Sequence, residues 1–380
     1  MKVGFLGFPF VDSNKGCEAL TYSMVQILRS LSSRELTIVN LNGQKVDNIK
    51  RHFKDINFES RELIIKDYRF KNPKILKDLD FVIDATYGDN FSDIYLPWFV
   101  KKTTILKIII WLNSKPLILA PQTYGPFKDK RLEKMASFII KKANAVYSRD
   151  ELSTQYVKKI SNITPITVTD LAFILPYTKQ STYCEKIKIG INVSGLLWDG
   201  GFSESNQFGL KTNYREYIVE LLSYLTDSDK YMIYIIPHVL ATPDMQIDDD
   251  VAICEELSQQ FGLKLAPKFE NPVQAKSFIS NMDIFTGARM HSTIAAISSG
   301  VATIPFSYSR KFEGLYDSIN YKYVIDGKTL STDEAVKKTK EYISMYQKLI
   351  SDAEISMEQV HYNHEKFILD FTNTIKKYID

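Results

Sequence analysis

Two successive series of strand-like runs, each interleaved with helical stretches, constrain this chain more than any other feature of it. In the first series Lys2–Leu6, Glu35–Asn40, Phe81–Asp84, Pro116–Ala120 and Ala145–Ser148 read as strands, with a helix from about Cys17 to Leu31 after the first. In the second, Ile187–Val193, Tyr231–Ile236, Ile284–Thr286 and Val301–Pro305 alternate with helical stretches at Tyr214–Leu225, Asp249–Phe261 and Ser292–Ser299, the last stopped by Gly300. Strands that alternate with helices pair in parallel, because each crossover returns the chain to the same end of the sheet. Leu20, Met24, Ile27, Leu28 and Leu31 recur at helical spacing, a stripe that faces a core.

A polar stretch, Tyr177–Thr182, separates the two series. A chain of 380 residues is longer than one hydrophobic core usually organises. The expected layout is therefore α/β, with Rossmann-like domains over 1–178 and 183–331. A tail over 332–380 carries helical patterns at Thr332–Ser351 and Ser356–Tyr378 and packs across both domains. With 48 basic against 45 acidic side chains and no basic block, nucleic acid is not the expected main partner. Cys17, Cys184 and Cys254 are odd in number and widely spaced, which argues against a disulfide framework or a structural zinc site and predicts a cytoplasmic location. The apolar opening is followed at once by Asp12, Asn14 and Lys15, so it reads as a strand and not as a secretion signal. The run Ile105–Leu112 is interrupted by Lys107 and falls short of the roughly 18 residues of a membrane span, leaving at most peripheral membrane contact.

The segment Asp283–Ser292 is the richest in chemistry: a strand runs through Gly287 into a helix start and sets Arg289 and His291 at the strand's carboxyl end. Ligands of open α/β sheets bind at that edge, where helix amides attract anions and an arginine grips a carboxylate or phosphate with two parallel bonds. Taken alone, the same pattern fits an ordinary ion pair and a capping or core histidine equally well. The loop Phe10–Gly16 brings Asn14 and Gly16 to an equivalent edge, as ligand contacts or as simple helix capping. It carries neither a dinucleotide fingerprint nor a P-loop ending. No grouping of His, Asp or Glu has metal-ligand spacing, so no metal is expected.

Gly287-x-Arg289-x-His291-Ser292, followed by Ala295-Ala296, Gly300, Ile304-Pro305, Tyr308 and Lys311, resembles the signature of the polysaccharide pyruvyl transferase family. Family-like pieces also stand in order at Asn14–Leu20, Gln122–Phe127, Ser148–Ser153 and Thr169–Phe173. The resemblance implies two Rossmann-like domains facing across a cleft, like the GT-B glycosyltransferases. It also implies phosphoenolpyruvate as donor substrate, no cofactor, and a surface or secreted glycan, free or lipid-linked, as acceptor. The first domain would take the acceptor and the second the donor. Arg149 and Arg289 would surround the donor with His291. At Gly88-Asp89-Asn90 the chain departs from relatives that often carry paired glycines.

Phosphoenolpyruvate joins a carboxylate to a phosphate, so its site must offset several negative charges; Arg149, Arg289, Lys311 and a helix start bearing Ser292 suit that task. Making a ketal requires a proton on the terminal carbon. His291 is the first candidate, since histidine titrates near ~6.5, and His238, after the strand Tyr231–Ile236, is the second, with an idle loop histidine as the other reading. Asp170, or else Asp89, is the candidate base for a sugar hydroxyl, and each also reads as a cap or turn carboxylate. Gln122 lies in a family-like segment, and Trp198 stands in a glycine-rich run, Leu196–Phe202, expected to be a mobile loop against the acceptor. The same architecture also suits a GT-B glycosyltransferase with a nucleotide-sugar donor, or a glycan-binding protein without catalysis.

Overall fold

The structure is a computed structural model that describes residues 1–11, 14–32, 35–65, 74–93, 97–180, 184–201, 205–240 and 248–379, without the side chains of residues 310, 311 and 313. The chain divides into two compact units. The first comprises Met1–Asp12, Cys17–Leu171 and Val360–Asp380; the second comprises Ser13–Gly16 and Ala172–Gln359.

The first unit is built on seven strands, β1 (Lys2–Leu6), β2 (Thr37–Asn40), β3 (Asn57–Ser60), β4 (Phe81–Asp84), β5 (Leu117–Gln122), β6 (Ala145–Ser148) and β7 (Ile166–Thr167). All pairs are parallel, in the order β3-β2-β1-β4-β5-β6-β7. Strands covered by helices on both faces read as continuous apolar runs, and β4 and β5 are buried at every position. The helix Lys15–Leu31 buries Leu20, Met24, Ile27 and Leu28 as its stripe requires. The run around Ile108 is the second half of a helix, Pro97–Leu112, whose hydrophobicity has too little sidedness to show helical periodicity in the sequence. Chain order reverses between β1 and β4, the switch point at which open α/β sheets bind ligands beyond their strand ends.

The second unit repeats the plan with β8 (Ile187–Asn192), β9 (Tyr231–Ile235), β10 (Lys264–Leu265), β11 (Ile284–Gly287), β12 (Ala302–Ser307) and β13 (Ile325–Asp326). These are again all parallel, in the order β10-β9-β8-β11-β12-β13, and the switch point lies between β8 and β11. The helix Met290–Ile297 follows β11 and begins two residues earlier than the pattern predicted. Beyond it Gly300 takes a positive φ of 77° while the Val301 amide donates to the Ala296 carbonyl, a glycine-assisted stop.

The tail corrects one expectation. Thr332–Ser344, opened by a Ser331/Glu334 capping box, ends at Met345, and Tyr346–Ile379 then runs unbroken. The predicted interruption near Ser351 contains neither glycine nor proline, so nothing there disfavours helix. Within the first unit this helix lays Phe367 and Phe371 on Tyr147, whose hydroxyl donates to Asp370 at 2.6 Å. Within the second, Thr339 meets the Tyr217 hydroxyl at 3.0 Å. Thr178 and Gln180 of the polar stretch donate backbone bonds to Ser277 and Asn281, while Ser181 and Thr182 lie outside the described residues.

Candidate active site

In the second unit the carboxyl ends of β8, β9 and β11 converge on one buried carboxylate, that of Asp250. It accepts the amides of Gly195 at 3.0 Å, His238 at 3.1 Å and Val239 at 3.0 Å, and the Asn192 side-chain amide at 3.3 Å. Arg289 completes the set, donating from Nη2 at 2.6 Å and from Nε at 3.1 Å. Its Nη2 also reaches Asp248 at 2.5 Å, and its backbone amide donates to Asn192 at 3.0 Å. Burial opposes the guanidinium charge, but Asp250 and then Asp248 more than offset this and hold its pKa above the ordinary value. Arg289 is therefore bound into an ion-paired core, which ties the loop after β9 to the start of Met290–Ile297. Ser292 is fully buried, and its hydroxyl donates to the Arg289 carbonyl at 2.7 Å.

The two histidines stand beside this hub. His238 is buried, and neither of its ring nitrogens bonds any described residue. Desolvation first, and the neighbouring His291 second, push its pKa down to about 3, so its imidazole is neutral at physiological pH. The backbone carbonyl of His238 accepts the Lys15 amide at 3.3 Å, and Asn14 bridges Val239 in antiparallel fashion. Gly16 then passes so close to His291 that a Cβ on it would lie 2.3 Å from the Cβ, Cγ and Nδ1 of that residue. Asn14, Lys15, Gly16, His238, Arg289 and His291 thus form one cluster, although 223 positions separate Lys15 from His238. Met290–Ile297 starts there without a side-chain cap, and amides of an uncapped first turn attract anions.

The carboxyl edge of the first unit carries the other expected residues. Arg149, after β6, donates to Asp170 at 3.1 Å, and both side chains are buried. The Arg149 amide donates to the carbonyl of Gln122, whose buried side chain in turn donates to the Asp84 carbonyl at 3.2 Å. After β4 the chain turns through three consecutive residues of positive φ, Thr86 at 41°, Tyr87 at 56° and Gly88 at 83°. Two of these are not glycine, a strained arrangement that persists only where the surroundings over-determine it. Thr86 donates its hydroxyl to Asp84 at 2.7 Å, the Tyr87 amide donates to the Gly7 carbonyl at 2.6 Å, and the Thr123 amide holds the Gly88 carbonyl at 2.8 Å. Below the turn, fully buried Lys107 stands 3.2 Å from Asp84. Asp89 is half-buried on the turn itself.

Trp198 departs from expectation. It ends a helical turn, Gly195–Trp198, capped by Ser194, and the Arg215 guanidinium lies over its ring at 5.4 Å. Gly195 is obligatory there, since a Cβ would lie 1.8 Å from the Asp249 carbonyl oxygen. Trp198, Phe208 and Lys211 line an open cavity of about 500 Å³. Phe202 lies outside the described residues, as does the side chain of Lys311. Asn192, Asp250, Asp84 and Lys107 were missed in sequence. The run Asp248-Asp249-Asp250 was the available signal for one of them, read there only as a helix start.

Two doubly wound parallel units, each collecting charged side chains at its carboxyl edge, define the two-Rossmann α/β class to which GT-B glycosyltransferases and related sugar-nucleotide epimerases belong. Solved structures bear this out at the level of fold. The chain matches S. aureus MnaA in a co-structure with UDP at TM-score 0.59 and 12% identity, covering 97% of this chain and 96% of that one. It matches the UDP-GlcNAc 2-epimerase of Neisseria meningitidis bound to UDP-GlcNAc at 0.56 and 13%, over 95% and 100%, and the spinosyn rhamnosyltransferase SpnG at 0.51 and 8%, over 96% of each. The chain belongs to the polysaccharide pyruvyl transferase family, whose model matches residues 14–310. Among curated relatives, the amylovoran biosynthesis protein AmsJ of Erwinia amylovora is 21% identical over 340 residues, 83% of this chain and 78% of that protein.

Proposed function

We propose that this protein transfers the pyruvyl group of phosphoenolpyruvate to two hydroxyls of a sugar in a glycan under assembly, forming a ketal and releasing inorganic phosphate. Membership of the family and the likeness to a protein named for exopolysaccharide biosynthesis support the class of reaction. The observation that carries the reading to particular residues is the imidazole of His238, buried, neutral and without a partner among the described residues, beside His291 at an anion-attracting helix start.

In this reading the donor's anionic groups meet the first-turn amides of Met290–Ile297, with Lys15 close enough for its charge to bear on the same histidine. His291 gives a proton to the methylene carbon, the central carbon becomes electrophilic, and a sugar hydroxyl adds to it. The C–O bond to phosphate then breaks and the second hydroxyl closes the ketal. Of the two hydroxyl protons, one restores His291 and the other leaves with phosphate. Neutral His238, with one N–H and one bare ring nitrogen, offers hydrogen bonds beside the proton donor and is not itself the acid, since it lacks the second, acidic proton near neutral pH.

Phosphate release from phosphoenolpyruvate, screened across acceptor glycans, tests the proposal. Release should require both substrates, and His291→Ala should abolish turnover while retaining most donor affinity by calorimetry. Tight binding of a nucleotide sugar with no detectable phosphoenolpyruvate binding would refute it in favour of glycosyl transfer.

A further inference from the structure

Among the described residues nothing covers one apolar face of the helix Pro97–Leu112 in the first unit. Its inner side, with Val100, Leu106, Ile109 and Ile110, belongs to the core. Its outer side presents Trp98, 63% exposed, and Leu112, 61% exposed, with Ile105 and Ile108 only partly buried between them. At about 100° per residue, positions 98, 101, 105, 108 and 112 fall within one third of the helix circumference. The neighbouring helix Lys130–Lys142 extends the face: Phe138, 38% exposed, packs edge-on against Trp111 at 5.2 Å between ring centres. Scattered exposed apolar side chains need no explanation, but a contiguous set on two adjoining helices does.

The exposed charges around this face are mostly positive. Pro97–Leu112 contains no acidic residue, and Lys101 and Lys102 stand exposed on it. The second helix adds exposed Arg131, Lys134, Lys141 and Lys142 against a single acid, Glu133, which Lys130 and the Tyr156 hydroxyl already engage. The Lys142 ammonium lies 5.3 Å from the Trp111 ring centre, its stem along the apolar surface. Pairing with a second copy would bring like charges together, whereas an anionic bilayer surface complements both features at once. Indole rings and leucine enter the headgroup boundary while lysines meet lipid phosphates. Among the described residues no helix is long and apolar enough to cross a membrane, so contact through this face is peripheral.

We infer that the face formed by Pro97–Leu112 and Lys130–Lys142 docks the protein on anionic phospholipid membranes. This does not rest on the pyruvyl-transfer reading, because the binding needs no reaction to be observed. The test is co-sedimentation of the full chain with phosphatidylcholine vesicles, with and without phosphatidylglycerol. Binding should require phosphatidylglycerol, weaken with salt, and fall about five-fold for each lysine removed, so about 25-fold for K101Q/K102Q. W98S should weaken it as well. L369S, at an equally bare leucine on the C-terminal helix, should leave it unchanged, and unaltered melting of each variant shows that it is folded. No binding, equal binding to both vesicles, or full binding by K101Q/K102Q overturns the proposal. So does a dimer in solution that W98S dissociates, since the face would then cover a second copy.

Discussion

Gly16→Ala is the substitution whose effect follows most directly from geometry. The added methyl would sit 2.3 Å from three side-chain atoms of His291, including its Cβ, so rotation of the ring alone cannot relieve the clash. One of the two backbones must move by about 1 Å to restore ordinary contact. Overpacking of this kind costs about 1–3 kcal/mol, and replacing glycine in a helix returns at most about 1 kcal/mol, leaving a net loss of up to about 3 kcal/mol. In the proposed reaction His291 delivers a proton, and displacing such a group by about 1 Å costs roughly 100-fold in rate. Turnover should therefore fall far more than stability, measured as phosphate release beside a urea melt. A second arm needs no activity: in a His291→Gly background, which removes the Cβ, the stability penalty of Gly16→Ala should vanish. Wild-type turnover in Gly16→Ala, or a penalty that persists in the His291→Gly background, would refute the argument that Gly16 exists to seat His291.

Two further outcomes follow from buried charge. In the unfolded chain His238 takes its proton near pH ~6.5, and in the folded protein only near about 3, so acid favours the unfolded state. Its contribution is complete above about pH 6.5 and is lost on acidification, at up to about 1.4 kcal/mol per pH unit until about pH 3; His238→Leu should flatten a denaturation series by that amount. Burial lowers the Lys107 pKa while Asp84 opposes the shift. Lys107→Met alone should cost about 3–5 kcal/mol in a chemical melt by stranding Asp84, and adding Asp84→Asn should recover most of it.

The parallel sheets were legible because their strands are short apolar runs punctuated by helices. Phe81–Asp84 and Ala145–Ser148 were bounded to the residue. Edge strands were not legible: Lys264–Leu265 and Ile325–Asp326 are two residues long and carry too little pattern to stand out from loop. Position along the chain also told which residues reach a strand's carboxyl edge, among them His238 and Arg289, whereas Arg149 stood out only through the family resemblance. It did not tell which groups satisfy which others. Whether Arg289 meets solvent or Asp250 depends on a pairing across 39 residues, and Asp250 has no local feature apart from two preceding aspartates. Lys107 in an isoleucine-rich helix read as an interruption of hydrophobicity, whereas it is the cation opposite a carboxylate on β4.

The pairing of Arg289 with Asp250 changes how the pyruvyl-transfer reading can hold an anionic donor in the second unit. Arg289 faces two carboxylates, so its immediate surroundings carry a net negative charge before any ligand arrives. Freeing it for phosphoenolpyruvate would strand Asp250 in the core, a cost of the order of 3–5 kcal/mol that a bidentate contact with the donor does not recover. In the pyruvyl-transfer reading Arg289 is therefore a positioning residue: it locks Asn192, Asp250 and the His238 backbone to the start of Met290–Ile297. Attraction for the donor then falls to the amides of that helix start and to Lys15. Both are delivered by the segment contacts that also bring Gly16 against His291, so the donor site and the proton donor are set by the same close approach.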